Sequence, residues 1–178
     1  LPCDGDLLCP VIQQPKKSIC TSRSFGRSQT ELSVVEEAVA NFASTCSLKL
    51  RQQKSCANFM MVFIHTNPFK HDQPQYAKNR LIKLPVATNS SMELIKFAKW
   101  TLRSIYKAGY SYKKAGVIVS GLIPQNEVQG NLFDGINRDK QKALMKAVDG
   151  INLKLGRGKV KVASQGNGRD WRLRQEKL

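Results

Sequence analysis

Apolar residues recur along this chain with two different periods, which predicts a mixture of helices and strands. From position 32 they follow one another at steps of three and four, the spacing of one face of an amphipathic helix. The members of this stripe are Leu32, Val35, Val39, Phe42, Cys46 and Leu50. A second stripe with the same spacing contains Leu94, Ala98, Leu102 and Ile105. The sequence therefore predicts two amphipathic helices that share a core.

Each predicted helix begins at a Ser that is followed three residues later by Glu. The two pairs are Ser33 with Glu36, and Ser90 with Glu93. In a capping box the Ser side chain binds the third amide of the helix, and the Glu side chain reaches back to the first. We therefore expect a capping box at both helix starts.

Four segments around these helices have the composition or alternation of strands. They are residues 18–26, 58–66, 80–88 and 110–122. Pro85 cannot donate a ladder hydrogen bond, so it places the third strand at an edge or ends it early. The order β-α-β-β-α-β predicts an α+β fold, with a four-stranded, mainly antiparallel sheet and both helices on one face.

The composition changes after Pro124, where a polar linker follows. A short third helix is predicted from a stripe that ends before Gly156, and residues 159–162 alternate like an edge strand. The stripe contains Leu144, Val148, Ile151 and Leu155. We predict a linker at 1–14, the sheet domain at 15–124, a second linker at 125–137, and a small helical and β extension at 138–178. Because the chain opens at Leu1 in a turn-rich segment, we expect a fragment of a longer protein.

The charge balance narrows the choice of partner. The chain has 29 Lys and Arg against 13 Asp and Glu, a formal net charge of +16. An excess of this size predicts an anionic partner, nucleic acid first and an acidic membrane surface second. No apolar run is long enough to span a bilayer, and the predicted helices use their apolar faces for a core. Nucleic acid is therefore the preferred partner.

Cysteine and histidine usage supports neither a disulfide framework nor a zinc site. The five Cys are odd in number and none has C-x-x-C spacing, and only two His are present. Cys20 and Cys46 fall in a strand and a helix pattern, so we expect small buried side chains. Free thiols are typical of the cytosol, so we expect a cytoplasmic protein. No carboxylate cluster predicts a metal ion or a catalytic site.

Hydroxyl side chains and arginines suited to phosphate are concentrated in the first predicted strand. Phosphate contacts come mostly from Arg, Lys, Ser, Thr and backbone amides. The candidates in this strand and just after it are Ser22, Arg23, Ser24 and Arg27. An edge strand of ordinary surface polarity is the alternative interpretation. We expect the sheet face away from the helices to be basic, carrying Arg23, Lys83, Lys113 and Lys114.

Several segments resemble, in the right order, the little finger of Y-family translesion DNA polymerases of the UmuC type. Residues 15–27 (Pro-Lys-Lys-Ser-Ile-Cys-Thr-Ser-Arg-Ser-Phe-Gly-Arg) resemble the start of that domain. Residues 63–69 (Phe-Ile-His-Thr-Asn-Pro-Phe) resemble its second strand and turn, and residues 108–121 its Ala-Gly-Tyr-x-Tyr-x-Lys-Ala-Gly-Val stretch. The tail, with Gly156-Arg157-Gly158, resembles the C-terminal extension of the UmuC type. The resemblance covers nearly the whole chain.

This resemblance implies an accessory domain that grips the backbone of primer–template DNA in SOS mutagenesis and DNA repair. It implies that the four first-strand candidates lie near phosphates and that Phe25 packs inward. It also places Lys113 and Lys114 in the matching fourth-strand stretch. In this family the Mg²⁺ ions of nucleotidyl transfer are held by carboxylates of the palm, which we expect to precede this fragment. We therefore predict no catalysis and no cofactor for the fragment itself.

The resemblance also implies protein partners. Residues 129–134 resemble the family's Asn-Leu-Phe-Asp element, within the short peptide that binds the sliding clamp. Gln129 would anchor the peptide, and Leu132 and Phe133 would enter a groove of the clamp. Packing of Leu132 and Phe133 back on the domain is the alternative, and Gly130 replaces the usual bulky residue, which predicts weaker binding. Processed UmuD and the RecA filament are further implied partners.

Two other functions remain open. The predicted order of strands and helices also describes RNA-recognition motifs, which stack bases on aromatic residues of the first and third strands. Here Phe25 is the one aromatic residue in the first predicted strand, and the third has none. Alternatively, residues 138–178 could act mainly as a scaffold for protein partners, or the basic tail around Trp171 could be a DNA-binding arm.

Overall fold

The chain forms one four-stranded antiparallel sheet. A computed structural model describes residues 17–130, 135–168 and 171–172. The strands are β1 (Ser18–Gln29), β2 (Ser55–Thr66), β3 (Ala77–Thr88) and β4 (Tyr112–Pro124). They lie in the order β1-β4-β2-β3, and every neighbouring pair is antiparallel. The predicted α+β fold is confirmed, and the strand that contains Pro85 lies at an edge as expected.

Two helices cover one face of this sheet. They are α1 (Leu32–Gln52), which packs on β1 and β4, and α2 (Ser91–Ile105), which packs on β2 and β3. The two predicted apolar stripes point into the space between helices and sheet. Val35, Val39, Leu50, Leu94 and Leu102 are fully buried there. Burial of each such side chain stabilises the fold by about 1.5–3 kcal/mol, so this layer is the core.

The capping box predicted for α1 does not form. The helix begins at Leu32 with Glu31 as its N-cap, and no side chain makes a capping hydrogen bond. Glu36 instead receives hydrogen bonds from Arg103 of α2 and forms an ion pair with Lys99. A two-pronged contact from a guanidinium is a strong hydrogen-bonding arrangement for a carboxylate. The tertiary contact between the two helices therefore replaces the local cap.

The start of α2 differs from its prediction in a similar way. Ser90 is the N-cap, as expected, but its side chain makes no capping hydrogen bond. Among the described residues its Oγ is buried without a hydrogen-bond partner. Glu93 is bound by Arg138, whose Nη1 lies 2.9 Å and 3.0 Å from the two carboxylate oxygens. The residue that should complete the capping box thus holds the C-terminal extension.

The C-terminal extension begins with a third helix, α3 (Arg138–Leu155). Asn137 caps its start by accepting a hydrogen bond from the amide of Lys140 at 2.9 Å, and Gly156 ends it at a φ of 103°. A positive φ of this size favours glycine, so the predicted end of the helix is confirmed.

The predicted apolar stripe of α3 does not face the sheet domain. Leu144 is 48 % exposed, Ile151 41 % and Leu155 66 %. The side that faces the domain buries Met145 and places Asp149 in an ion pair with Arg51 at 2.6 Å. Polar contacts therefore set the orientation of this helix, and they leave three of the four residues of its apolar stripe exposed, whereas Val148 is half-buried.

The edge strand predicted at residues 159–162 is wrong. These residues form a bend that leads into a short 3₁₀ turn, Ala163–Gln165. The Asn152 side chain donates to the carbonyl of Val160 and accepts from its amide, both at 2.9 Å. A side-chain amide thus satisfies the two backbone groups that a neighbouring strand would have paired.

The end of the chain returns to the core through Trp171, which is 4 % exposed. Its ring meets Phe42 and Phe25 edge-on, with centroid distances of 5.3 Å and 6.4 Å. Its Nε1 donates to a carboxylate oxygen of Glu37 at 3.1 Å, and its carbonyl accepts from the amide of Gly26. The tail therefore packs on α1 and on the end of β1. Within the described part of the chain, no helix has the length and apolar character needed to cross a membrane.

Candidate nucleic-acid interface

The strand register arranges sixteen residues in four rows on the sheet face that the helices leave uncovered. Residues directly opposite one another on neighbouring strands point to the same face. Read from β1 through β4 and β2 to β3, the rows are Ser18-Ser120-Phe59-Lys83, Cys20-Ile118-Met61-Leu81, Ser22-Gly116-Phe63-Asn79 and Ser24-Lys114-His65-Ala77. We call these sixteen positions the open face.

The centre of the open face is apolar rather than basic. Met61 and Ile118 lie side by side in the middle, and Leu81 beside them is 58 % exposed. Lys83 lies at one corner, and Lys114 lies in the row at the opposite end, on the inner strand β4. The expectation that Arg23, Lys83, Lys113 and Lys114 all lie on this face is therefore wrong, because only Lys83 and Lys114 do. The expected burial of Cys20 is wrong too, because its side chain is exposed there, whereas Cys46 is buried as predicted.

Arg23 does not lie on the open face. It stands opposite Ala115, whose side chain is fully buried in the core, so Arg23 points to the helix side of the sheet. Because β1 is an edge strand, the Arg23 side chain is nevertheless exposed to solvent. The residue remains available to a ligand that approaches the edge of the sheet.

Lys113 does not lie on the open face either, because it is the chain neighbour of Lys114, and it is the extra residue of a β-bulge. The partners of β2 and β4 pass directly from His65 with Lys114 to Thr66 with Tyr112, which leaves Lys113 between them. Its Nζ donates to the carbonyl of Phe25 at 2.7 Å and to the carbonyl of Gly26 at 3.1 Å. This ammonium group is engaged with the backbone of β1, and the geometry gives it a structural role.

The other first-strand candidates are accessible. Ser24 is exposed and Ser22 is half-buried. Both lie on the open face, Ser24 in the row of Lys114 and Ser22 in the row beside it. Arg27 is exposed within the irregularly paired segment between Ser24 and Gln29. The inward packing of Phe25 is confirmed, since its side chain is fully buried.

Gly116 allows a close approach beside Ser22. A Cβ atom at this position would overlap the Phe63 ring and the Cβ of Ser22. The Phe63 ring therefore lies across the glycine, and its centroid is 5.1 Å from that of the His65 ring. Two neighbouring rings, tilted by 38° to each other, thus lie on β2, and His65 stands in the same row as Lys114.

An open groove of about 660 Å³ continues from this surface at the end of the sheet. Its lining includes Ser24, His65 and Lys114 of the open face, together with Asn67 and Phe69 of the turn after β2. Phe69 is 86 % exposed. The groove therefore combines a cation, a hydroxyl group and aromatic rings.

The groups whose pKa values are raised mainly by burial lie away from the open face. Burial raises the pKa of the Cys56 thiol to about 11, and it also raises the pKa of the Cys46 thiol and the Tyr112 phenol. Because the thiolate is the reactive form of cysteine, these two thiols are poor nucleophiles at neutral pH. Across residues 17–130, 135–168 and 171–172, no cluster of three His, Cys, Asp or Glu side chains could hold a metal ion.

The peptide suggested for clamp binding is described only in part. Gln129 is exposed after the 3₁₀ turn Gln125–Glu127 that follows β4. Leu132 and Phe133 lie outside the described residues. The roles of all three residues stay predictions.

Comparison with known proteins places this sheet domain in a family. The C-terminal domain of the impB/mucB/samB family matches residues 16–132, which include all four strands and both covering helices. The chain belongs to the impB/mucB/samB family. A second family, a domain of unknown function (DUF4113), matches residues 142–178 and so most of the extension.

Curated relatives of this impB/mucB/samB domain show the same extent of similarity. Protein ImpB of Salmonella typhimurium is 34 % identical over 164 residues, which are 92 % of this chain and 38 % of ImpB. Protein UmuC of Salmonella typhimurium strain LT2 is 33 % identical over 92 % of this chain and 39 % of UmuC. Protein MucB of Escherichia coli is 34 % identical over 92 % of this chain and 38 % of MucB. The chain thus spans less than half the length of these relatives.

A solved structure described as an insertion ternary complex of Dbh DNA polymerase is a more distant neighbour. It aligns with a TM-score of 0.46 and 10 % sequence identity, over 60 % of this chain and 29 % of that chain. This likeness is too weak to support a conclusion about the impB/mucB/samB domain described here.

The apolar centre of the open face was missed by the interpretation of the sequence, although one signal for it exists. Along β2, Phe59, Met61 and Phe63 alternate with the buried Met60 and Val62, so both faces of this strand are apolar. A strand that is apolar on both sides is typically covered on both sides. This pattern indicated a second contact surface opposite the helices.

Proposed function

We propose that this chain is the accessory DNA-binding domain of a UmuC-type translesion DNA polymerase in the bacterial cytoplasm, and that it grips the backbone of primer–template DNA. The observation that carries the proposal is the group of accessible phosphate-binding side chains along β1 and its neighbour. Ser22, Ser24 and Lys114 adjoin one another on the open face, and Arg23 and Arg27 are exposed along the same edge. The net charge of +16 and the relatedness to UmuC support this assignment.

Two kinds of contact would contribute to binding. The hydroxyl groups and cations along β1 suit phosphate oxygens, which carry no sequence information. The apolar centre around Met61, Leu81 and Ile118 offers a surface that can pack against thymine methyl groups in a major groove. Because apolar contact releases no counterions, we expect a part of the affinity to persist at high salt.

Nucleotidyl transfer and its Mg²⁺ ions are assigned in this proposal to parts of the relatives that the chain does not span. The proposed contribution of this domain is to hold the primer–template in place. A tether to the sliding clamp through Gln129, Leu132 and Phe133 would keep the polymerase on DNA. This assignment of the peptide rests on its resemblance to the family.

A second candidate function is docking of a protein partner such as processed UmuD or RecA. It is favoured by the stripe on α3, whose residues Leu144, Ile151 and Leu155 are exposed on one side of the helix. Exposed apolar residues that line up in this way commonly mark an interaction surface. In this case the positive charge of the chain would bind an acidic surface of the partner protein.

A salt series with primer–template DNA tests the DNA-binding proposal. The association constant should fall steeply with salt, because bound phosphates release counterions. Replacing both Arg23 and Arg27 by Gln should reduce the slope of log K against log salt by about 0.9 for each phosphate that is no longer neutralised. The weakening should be similar for DNA of different sequence.

The matched control removes the same charge from the helix layer. Lys96 and Lys107 are exposed on and just after α2, and their double replacement by Gln should change the slope much less. Equal effects of the two double variants would contradict a specific role of the β1 edge. Weak binding of the unmodified chain even at low salt would contradict DNA binding itself and favour protein docking.

A further inference from the structure

The groove at the end of the sheet has a size and a lining that suit a small aromatic anion. Its volume of about 660 Å³ lies within the range of about 300–1,000 Å³ that is usual for ligand clefts. It is formed where the bulge of β4, the end of β2 and the start of β3 meet. These are the positions at which the regular open face ends.

The turn after β2 holds an aromatic side chain in solvent at the rim of this groove. The Asn67 side chain accepts a hydrogen bond from the amide of Phe69 at 3.1 Å, and its carbonyl accepts from the amide of Lys70 at 3.2 Å. These two hydrogen bonds to Asn67 hold the turn that carries Phe69. The same groove is lined by His65, whose ring pairs with Phe63.

Two lysines line the groove, and their ammonium groups are placed differently. Lys113 directs its ammonium group to the carbonyls of Phe25 and Gly26. Lys114 instead follows the open face, between Ser24 of β1 and His65 of β2. A cation and a hydroxyl group thus line the same groove as the rings of His65 and Phe69, and this combination is the one that binds unpaired nucleotides.

We propose that this groove binds one unpaired nucleotide of single-stranded DNA, which stacks its base on the rings of Phe69 and His65 and places its phosphate against Lys114 and Ser24. The inference rests on the proposed function and deepens it, since it assigns a single-stranded site next to the duplex-binding edge. A base within a duplex has both faces stacked on its neighbours, so only an unpaired base can offer a face to these rings.

The test compares a blunt DNA duplex with the same duplex carrying a short single-stranded overhang. A fluorescent adenine analogue at the first unpaired position reports stacking. The overhang should raise the affinity of the unmodified chain and quench the analogue. Phe69→Ala should remove about five-fold or more of the gain in affinity and the quenching, but leave binding of the blunt duplex unchanged. Phe69→Tyr should retain both effects.

Trp100→Ala is the matched control, because Trp100 is an aromatic residue on α2 that is 57 % exposed and does not line the groove. If the blunt duplex binds but the overhang adds nothing, the groove assignment is overturned while duplex binding stands. The groove assignment is also overturned if Phe69→Ala and Trp100→Ala behave alike. If neither DNA binds, the proposed function fails, and the groove assignment fails with it.

Discussion

At the scale of single residues, Glu36 shows how an ion pair between helices alters a carboxyl group. It lies on α1, is only 8 % exposed, and meets Lys99 and Arg103 of α2. Burial by itself would raise the pKa of Glu36, but the hydrogen bonds and charges of the two cations outweigh burial and hold the pKa below its ordinary value of 4.5. The ionised carboxylate is therefore the form that the folded state favours.

This lowered pKa predicts a loss of stability in acid. The contribution of Glu36 should be fully present above pH 4.5 and should disappear as the pH falls through the lower pKa of the folded state, because protonation then favours the unfolded chain. Denaturant unfolding at several pH values should show that Glu36→Gln is less stable than the unmodified chain near pH 7, with the difference shrinking in acid.

The exposed Glu127 provides the control for this titration. Glu127→Gln should leave the free energy of unfolding nearly unchanged at every pH. A difference between Glu36→Gln and the unmodified chain that stays constant down to pH 2 would contradict the role assigned to the carboxylate.

At the scale of elements, α3 presents its apolar residues differently from the core helices α1 and α2. α1 and α2 bury their stripes because the sheet supplies an apolar surface beneath them. α3 is held by ion pairs from its first turn and its middle, Arg138 with Glu93 and Asp149 with Arg51. A helix anchored through polar groups does not need to bury its apolar stripe, so the same periodicity leads to a different outcome.

The linker peptide gives the prediction that belongs to this scale. Replacing both Leu132 and Phe133 by Ala should weaken binding to the sliding clamp at least ten-fold, because large apolar anchors in a groove supply most of the energy of such contacts. Surface-bound clamp and titration of each variant would measure the change.

Leu153→Ala offers a control, since Leu153 is 87 % exposed on α3 and outside the peptide. We expect clamp affinity to be unaffected by it. Unchanged affinity of the Leu132 and Phe133 double variant would instead show that the peptide does not bind the clamp.

At the scale of the whole molecule, the extension and the sheet domain share one core. Trp171 closes the space between Phe25 of β1 and Phe42 of α1, and a hydrogen bond joins its ring nitrogen to Glu37. Truncation before α3 would remove this side chain together with both ion pairs. A truncated chain would therefore lose folding stability as well as any docking surface on α3. Substitutions at the exposed apolar residues of α3 are the cleaner test of protein docking.

The two tryptophans allow a direct test of this shared core. Trp171→Ala should lower the free energy of unfolding by about 3–5 kcal/mol, the usual cost of deleting a buried aromatic side chain. Trp100→Ala, at a site that is 57 % exposed, should change it by only about 0.5 kcal/mol. Urea unfolding of both variants measures the difference, and similar values for the two would show that the tail does not belong to the core.

The sequence by itself determined the elements and most of the core, because periodicity is a local property. The stripes of α1 and α2 are buried as predicted, and Pro85 correctly indicated an edge strand. The hydroxyl and arginine residues of β1 were also identified as candidates from the sequence, although their contact with DNA stays a prediction.

Only the tertiary structure decided which side chains meet. The strand order brings Ser24 of β1 beside Lys114 of β4, and a one-residue bulge turns Lys113 toward the backbone of β1. The carboxylates of Glu36 and Glu93 bind arginines that are far along the chain instead of the amides at the starts of their own helices. The periodicity of a sequence shows on which face of a helix or strand a residue lies, but it does not show which residue it contacts. The contacts depend on the pairing of segments that are distant in sequence.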